Sequence, residues 1–232
     1  MEQSGGHHYF SKRTFAFLTG LAGSNTREWF AAHQQDYEEF VRTPALELIG
    51  DMADQLPAIS RHFTAQPRKV GGSLMRIQRD TRFGRDKTPY KTNIGIQFRH
   101  ELGKDIHAPG YYLHIEPDDC FLGIGLWHPD AQALGKIREA LVEHGKAWVA
   151  ARDDTKFRRH FTLVGDALVN PPHGFAKEHS LLEDLKRKDF IGLAPLTLAE
   201  VTSAKLRSQM VEYFRHAAPF MRFLCQALSL PF

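Results

Sequence analysis

The spacing of apolar residues changes along the chain, from a helical period near the N-terminus to alternation in the middle. From Asn25 onward apolar residues recur near helical spacing, and Glu28, three residues later, can complete a capping box. Thr43 and Pro44 are typical of an N-cap followed by the first helical position. The sequence therefore predicts one helix that begins at Asn25 and a second helix from Thr43 to about Leu56.

The middle of the chain is rich in glycine, β-branched and aromatic residues, and its apolar positions alternate with polar ones. Such alternation is typical of strands that bury one face. The predicted strands are residues 69–77, 92–99, 110–116 and 120–127. A short connection between the last two favours an antiparallel meander.

The C-terminal third returns to helical signals. Asp130, after His128 and Pro129, can begin a helix that ends near Gly145. Two further capping boxes are predicted, at Ser180 with Glu183 and at Thr197 with Glu200, and the second begins a long C-terminal helix. Between these two boxes, residues 190–193 are predicted as an edge strand.

These elements predict an α+β fold in which a central antiparallel β-meander is flanked by N-terminal and C-terminal helices. With 232 residues, 42% of them hydrophobic, the chain is expected to form a single domain over residues 13–232 after a flexible N-terminus at 1–12. No signal-peptide pattern or run of about 18 apolar residues is present, so we expect a cytoplasmic protein without a membrane segment. Cys120 and Cys225 fit no zinc or redox spacing and are expected to be reduced and buried.

The predicted meander places polar side chains on one sheet face. If residues 117–120 form the turn, Glu116 pairs with Phe121, His114 with Gly123 and Tyr112 with Gly125. Tyr112, His114 and Glu116 then project together. On the neighbouring strand, Asn93, Gly95 and Gln97 form a second polar and open set. Such a face can be the floor of a pocket, or it can be aromatic packing over glycine gaps.

The chemistry of this face suggests acid or base catalysis. His114 titrates near neutrality, Glu116 on the same face can tune it, and Tyr112 can donate a hydrogen bond to a developing charge. His114 and Glu116 also resemble metal ligands, but no third ligand stands at a diagnostic spacing, so we predict no metal site. The other histidines, among them His7, His8, His62 and His160, are scattered and indicate no role.

The basic segment (residues 76–91) is the most distinctive part of the chain. It carries six basic and two acidic side chains, a net charge of +4, whereas the whole protein has a net charge of +3. Arginines at every third position can direct several guanidinium groups one way, as phosphate or carboxylate binding requires. Its predicted anion ligands, together with the adjacent Asn93, are Arg76, Arg79, Arg82, Lys87 and Lys91. The alternative is a solvated loop in which Asp80 and Asp86 pair with these cations.

The same residues carry a family resemblance. The runs RDTRFGRDKTPYKTNIG (79–95), PGYYLHIEP (109–117) and GLWHPD (125–130) resemble the bacterial and fungal family catalogued as domain of unknown function 2461. NTREWF (25–30) and KDF (188–190) fit as well, so the resemblance extends over residues 15–193. The chain departs from the family at Gly84, where serine is usual, at Asn93, where histidine is common, and at Ser180, where proline is common. The resemblance implies one mixed domain without an established activity.

Two classes of function follow from the sequence. In the first, the protein binds or converts an anionic small molecule, phosphorylated or carboxylated, with the basic segment as ligand and His114, Glu116 and Tyr112 as catalytic groups. In the second, the segment binds nucleic acid or an acidic protein partner without chemistry. The second is less well supported, because no nucleic-acid motif is present and Phe83 and Tyr90 are too few for a stacking platform. The sequence names neither a cofactor nor an oligomeric state.

Overall fold

The structure, a computed structural model, describes residues 6–82, 86–103 and 108–232. Within these residues six antiparallel strands form one sheet in the order β1-β2-β3-β4-β6-β5. The strands are β1 (Phe63–Thr64), β2 (Ile94–His100), β3 (Gly110–Glu116), β4 (Asp119–Leu126), β5 (Thr162–Val164) and β6 (Phe190–Leu196). The predicted α+β class and the central meander are confirmed.

Helices precede, interrupt and follow the strands. They are α1 (Lys12–Gly23), α2 (Arg27–Ala32), α3 (Gln34–Tyr37), α4 (Thr43–Ala53), α5 (Ala131–Glu143), α6 (Gly145–Arg152), α7 (Thr155–His160), α8 (Leu182–Leu185), α9 (Leu198–Val201), α10 (Leu206–His216) and α11 (Ala218–Ala227). A π-helical turn (Glu38–Arg42) joins α3 to α4, and a short 3₁₀ turn (Leu56–Ala58) follows α4.

Alternation along the central strands separates a buried sheet face from a half-open one. Tyr111, Leu113 and Ile115 of β3 are fully buried, whereas the intervening residues are partly exposed. The buried face packs into a hydrophobic core that it shares with helices from both ends of the chain. Leu18 of α1 and Phe214 of α10 are examples of the helical residues in this core. Burial of apolar area at about 25 cal/mol per Å² makes this core the main source of stability.

The strand predicted at residues 69–77 is wrong. This segment is a loop that pairs with β2 through an isolated bridge between Leu74 and Ile96. Gly71 has a left-handed φ of 69°, and a side chain on Gly72 would lie 2.4 Å from the Gln66 carbonyl oxygen. The glycines therefore close a loop here, and the apolar residues that suggested a strand contact the sheet from its edge.

The strand predicted at residues 190–193 exists, but its predicted edge position is wrong. β6 is longer and lies between β4 and β5. The outer strand β5 has only three residues, too few to show an alternating pattern in the sequence.

Three predicted helix starts are also wrong. Thr26, not Asn25, caps α2, with its side chain accepting the Trp29 N–H. Thr43 caps nothing, because the helical chain continues through the π-helical turn into α4. Ser180 does not cap α8, which begins after Leu181 without a side-chain cap.

Two other helix starts are confirmed. Asp130 caps α5 through the Ala133 N–H, and Thr197 forms the predicted capping box with Glu200. The long helix predicted after Thr197 is divided into α9, α10 and α11. The break between α10 and α11 has a clear cause, because Pro219 lies at the start of α11 and cannot continue the hydrogen bonding of α10.

The described N-terminal residues contact the core. Tyr9 and Phe10 are buried, and the Tyr9 hydroxyl donates to Asp51. The flexible N-terminus predicted for residues 1–12 stays a prediction, because residues 1–5 lie outside the described part. Both cysteines are free and buried, as expected. Among the described residues, no helix combines the length and apolar character that a membrane crossing requires.

Candidate functional site

A chain of hydrogen bonds runs along the half-open face of β3. The Thr92 hydroxyl donates to Glu116 at 2.6 Å, the other Glu116 oxygen lies 3.3 Å from His114 Nε2, and His114 Nδ1 lies 3.0 Å from the Tyr112 hydroxyl. We call Thr92, Tyr112, His114 and Glu116 the polar network. The predicted common face of Tyr112, His114 and Glu116 is confirmed.

The surroundings of the polar network decide which groups donate protons. Burial raises the pKa of Tyr112 to about 12, and the charge of Glu116 adds to this rise. The Tyr112 hydroxyl therefore keeps its proton at neutral pH. Because a carboxylate only accepts, the His114 tautomer that satisfies both contacts carries its proton on Nε2, towards Glu116, and accepts from Tyr112 at Nδ1. Asn93 Nδ2 also approaches His114 Nδ1, at 3.4 Å.

The pairing predicted between β3 and β4 is wrong by two residues. His114 lies opposite Phe121 and Tyr112 opposite Gly123, because the turn contains two residues instead of four. Both turns are even in length, so the faces remain as predicted while the partners change. The His114 ring stacks on Phe121 with centroids 4.7 Å apart and planes 5° from parallel. The histidine is thus held by an aromatic ring where the sequence predicted an open glycine.

The glycine that does face His114 is Gly95 on β2. A Cβ atom there would lie 2.8 Å from the Tyr112 hydroxyl and 2.9 Å from the Met75 sulfur. Gly95 therefore allows Tyr112 and Met75 to approach the sheet closely. Met75 also lines the cleft described below, so this residue is common to the cleft and to the surroundings of Gly95.

The two ends of the basic segment pair with each other, through an isolated bridge between Gln78 and Tyr90. The Arg79 N–H donates to the Pro89 carbonyl, and the Lys91 N–H donates to the Ile77 carbonyl. The Asn25 side chain holds both backbone groups of Tyr90, with distances of 2.9 and 3.1 Å. These contacts anchor the base of the segment, whereas Arg85 lies outside the described residues.

Several cations of the basic segment are engaged within it. Arg79 forms an ion pair with Asp86 at 2.8 Å, and Arg82 binds Asp80 through two nitrogens at 3.0 and 2.7 Å. Hydrogen bonds from Arg82 hold the pKa of Asp80 far below its usual range. Lys87 donates to the Thr81 carbonyl at 2.7 Å. Local pairing, the alternative considered from the sequence, is thus present for Arg79 and Arg82.

The two other predicted cations, Arg76 and Lys91, line a cleft of about 640 Å³ beside the edge of β2. Three further basic residues from outside the basic segment complete what we call the cationic cleft: Arg42, Lys69 and Arg99. None of the described residues that line this cleft is acidic. Its charge is partly balanced from outside, since Arg42 pairs with Glu38 and Arg76 lies 3.9 Å from Asp80.

Lys91 is affected both by burial and by the neighbouring charges. Burial, followed by the charges of Arg76 and Arg79, lowers the pKa of Lys91 below its usual value. Keeping a partly buried lysine charged beside other cations costs free energy, and a bound anion would lower this cost. Such perturbed groups are common at functional sites.

Sequence reasoning missed Arg42, Lys69 and Arg99 because they lie outside the basic segment on which it concentrated. Arg99 had a usable signal, since it lies two residues after Gln97 and therefore on the same face of β2. Gln97, which accepts a hydrogen bond from Arg99 at 2.9 Å, lies opposite Tyr112. Arg42 gave no such signal, because only the packing of its helical turn places it at the cleft.

A larger groove of about 1380 Å³ lies between α5, α6 and α11 and shares no lining residue with the cationic cleft. Its charged lining is mixed, with Lys136 and Lys146 beside Glu139 and Glu143. Mixed charges do not select a ligand of one sign, so size alone does not make this groove the better candidate.

Comparison with protein families finds one that matches nearly the whole chain. The model described as a conserved hypothetical protein (DUF2461) matches residues 13–223. This range includes the basic segment, the polar network and the cationic cleft. A comparison with curated proteins finds no match.

Proposed function

Because the chain belongs to the family of conserved hypothetical proteins (DUF2461), whose description states no activity, we propose from its geometry that it binds a phosphorylated or carboxylated small molecule. The observation that carries this proposal is the cationic cleft, whose described lining includes five basic residues and no acidic residue. A volume of about 640 Å³ falls within the range of roughly 300–1,000 Å³ typical of small-molecule sites.

Within this proposal the predicted ligands have two different roles. Arg76 and Lys91 contact the anion together with Arg42, Lys69 and Arg99, since arginine forks and a lysine ammonium suit phosphate or carboxylate oxygens. Asp86 holds Arg79 and Asp80 holds Arg82, so these two arginines shape the basic segment. Direct contacts from Arg79, Arg82, Lys87 and Asn93 stay predictions.

The proposal also gives catalytic roles to the polar network. His114 acts as acid or base, Glu116 orients its Nε2 proton, and Tyr112 donates a hydrogen bond. The position of Met75 and Gln97, which line the cleft and border the network, supports a ligand whose anionic end lies in the cleft and whose reacting end reaches β3. The reaction and any cofactor are left open, and a cytoplasmic location stays a prediction.

Nucleic-acid binding is less well supported by the surroundings of the cleft. Tyr37 is buried, and Tyr90 stacks on Phe30 with centroids 4.2 Å apart, so neither ring is free to stack on a base. Phe83, the other aromatic residue of the basic segment, lies outside the described residues. An acidic protein partner remains the other alternative from the sequence.

Titration with small anions tests the proposed site. We expect sulfate, phosphate and a dicarboxylate to bind the purified protein with one equivalent per chain, measured by calorimetry at low ionic strength. Removal of a cation that contacts the anion, by Arg76→Met or Lys91→Met, is expected to weaken binding roughly 10-fold or more, the scale of a charge-assisted hydrogen bond of about 1.5–3 kcal/mol.

Arg158→Met is the control for this titration, since it removes an exposed positive charge outside the cleft and should leave binding unchanged. If Arg82→Met abolishes binding and Arg76→Met does not, the anion binds the basic segment beside Arg82 and not in the cationic cleft, which would contradict the proposal. Tight binding of an oligonucleotide with a steep salt dependence, and none of small anions, would favour the nucleic-acid alternative.

The lowered pKa of Lys91 predicts how binding changes with pH. A bound anion favours protonated Lys91, so anion binding raises the pKa of Lys91 and is accompanied by proton uptake. The affinity for the anion therefore falls as the pH rises through the lowered pKa that Lys91 has in the free protein. Sulfate is the suitable ligand, because its own charge is constant in this range. We expect calorimetry in buffers of different ionisation enthalpy to detect proton uptake that Lys91→Met abolishes.

The same shift predicts a gain in stability for Lys91→Met. Because the pKa of Lys91 is lower in the folded state, protonated Lys91 destabilises the fold. This destabilisation is complete at pH values below the lowered pKa. It decreases as the pH rises towards the pKa of Lys91 in the unfolded chain. We expect the variant to gain roughly 0.5 kcal/mol at neutral pH, since exposure screens the repulsion. Loss of anion affinity without this gain would indicate that Lys91 stabilises the cleft.

A further inference from the structure

Two histidines and a glutamate converge where α7 packs against α10. His160 is the last residue of α7, and Glu212 and His216 lie four residues apart on α10, hence on one face of that helix. One ligand atom from each residue lies within 4.8 Å of the other two. These three residues, which we call the His160 cluster, do not line the cationic cleft.

Two nitrogen atoms of the His160 cluster lack hydrogen-bond partners. Nε2 of His160 and Nδ1 of His216 are both buried and unpaired within the described part of the chain. A buried polar atom without a partner costs about 1–3 kcal/mol, so such atoms call for a physical explanation. A ligand that accepts both nitrogen lone pairs would provide one.

Aromatic contacts hold the two imidazole rings in place. His160 and His216 are nearly parallel, with planes 10° apart and centroids separated by 5.2 Å. The Tyr213 ring stacks on the imidazole of His160, with ring centroids 4.0 Å apart. Rings fixed in this way lose little conformational freedom when they bind an ion.

We propose that His160, Glu212 and His216 bind a divalent zinc ion. Two imidazoles and one carboxylate form a donor set found at catalytic zinc centres, which leave a fourth position for water or substrate. Glu212 is exposed, so solvent can reach that position. Tetrahedral zinc with bonds of about 2.0–2.1 Å separates its ligand atoms by about 3.3 Å, so the cluster must contract slightly, and the exposed Glu212 side chain can move for this.

The charges around the His160 cluster both favour and oppose a cation. An imidazole binds a metal ion in its neutral form, whereas a carboxylate also brings a negative charge. Arg159 repels a metal ion, and Glu212 supplies the compensating negative charge. Removal of the Glu212 charge should therefore weaken the site as much as removal of an imidazole.

Calorimetric titration with zinc chloride tests the proposal on protein that carries no affinity tag and has been stripped with a chelator. We expect one equivalent to bind. Glu212→Gln and His216→Gln should each lower the affinity at least roughly 100-fold, since even residues that only support a metal ligand change affinity 10–100-fold. Glu212→Gln is the more secure variant, because its exposed side chain contributes little to the core.

His7→Ala combined with His8→Ala is the matched control. These adjacent histidines are exposed, and Glu47 lies 3.1 Å from His7, so the same residue types occur there at the surface. Retention of zinc in this control, with loss in both cluster variants, supports the proposal. It is overturned if the wild-type protein binds no stoichiometric zinc, or if binding survives both cluster substitutions. The absorption spectrum of bound cobalt gives a second readout, because it reports nitrogen and oxygen ligation directly and should disappear in Glu212→Gln.

Discussion

Replacement of Gly125 by alanine is expected to lower the free energy of unfolding by at least about 3 kcal/mol. Gly125 lies on β4 with a φ of 107°, a conformation that L residues rarely adopt. A Cβ atom there would lie only 2.0 Å from the Phe190 carbonyl oxygen. The obstructing atom belongs to the backbone of β6, so relief requires a shift between two paired strands and not a side-chain rotation.

Urea unfolding measured by circular dichroism checks this expectation, with Gly135→Ala as the matched control. Gly135 lies within α5, and an added Cβ there contacts nothing within 4 Å. Its replacement should raise stability by up to about 1 kcal/mol, because alanine favours helices. A loss below about 1 kcal/mol for Gly125→Ala would mean that the sheet adapts easily at this position.

Replacement of Asp189 by alanine is expected to have the second largest effect, a loss of about 2–3 kcal/mol. The Asp189 carboxylate is almost fully buried and accepts backbone N–H groups from His128 at 2.7 Å and from Asp166 at 3.1 Å. His128 has a positive φ of 49°, so this carboxylate stabilises a strained connection between β4 and α5. Alanine would leave both N–H groups without their acceptor.

Asp189→Asn separates hydrogen bonding from side-chain shape. Asparagine keeps one acceptor oxygen but presents an amide donor to the other N–H, so an intermediate loss is expected. Asp119→Ala, at an exposed position on β4, should change stability by less than about 0.5 kcal/mol. Thermal unfolding of the three variants gives the ranking, and equal stability of Asp189→Ala and Asp119→Ala would contradict the bridging role.

Local sequence signals predicted the elements best where one residue determines one contact. Asp130 and Thr197 cap helices as expected, because each side chain binds a backbone N–H only three residues away. The prediction that Asn25 caps a helix was wrong, because the adjacent Thr26 supplies an equivalent cap. Asn25 instead binds Tyr90, 65 residues away. The choice between two equally competent caps depends on tertiary contacts.

The polar face of β3 was predicted correctly, but the residues opposite it were not. Alternation correctly placed Tyr112, His114 and Glu116 on one face, since successive strand residues always point to opposite sides. Their partners were wrong, because pairing depends on the length of the turn, which alternation does not specify. The His160 cluster gave no signal at all, since α7 and α10 bring together residues more than 50 positions apart.

The sequence by itself determined the α+β class, the polar face of β3 and the concentration of positive charge in residues 76–91, since each depends on neighbours along the chain. Only the tertiary structure decided which of the basic residues line the same cleft. Asp80 and Asp86 bind Arg82 and Arg79 within the basic segment, whereas Arg42, Lys69 and Arg99 join Arg76 and Lys91 from other elements. Electrostatic free energy depends on distance in space, so a count of charges along the chain locates the basic segment but not the cleft.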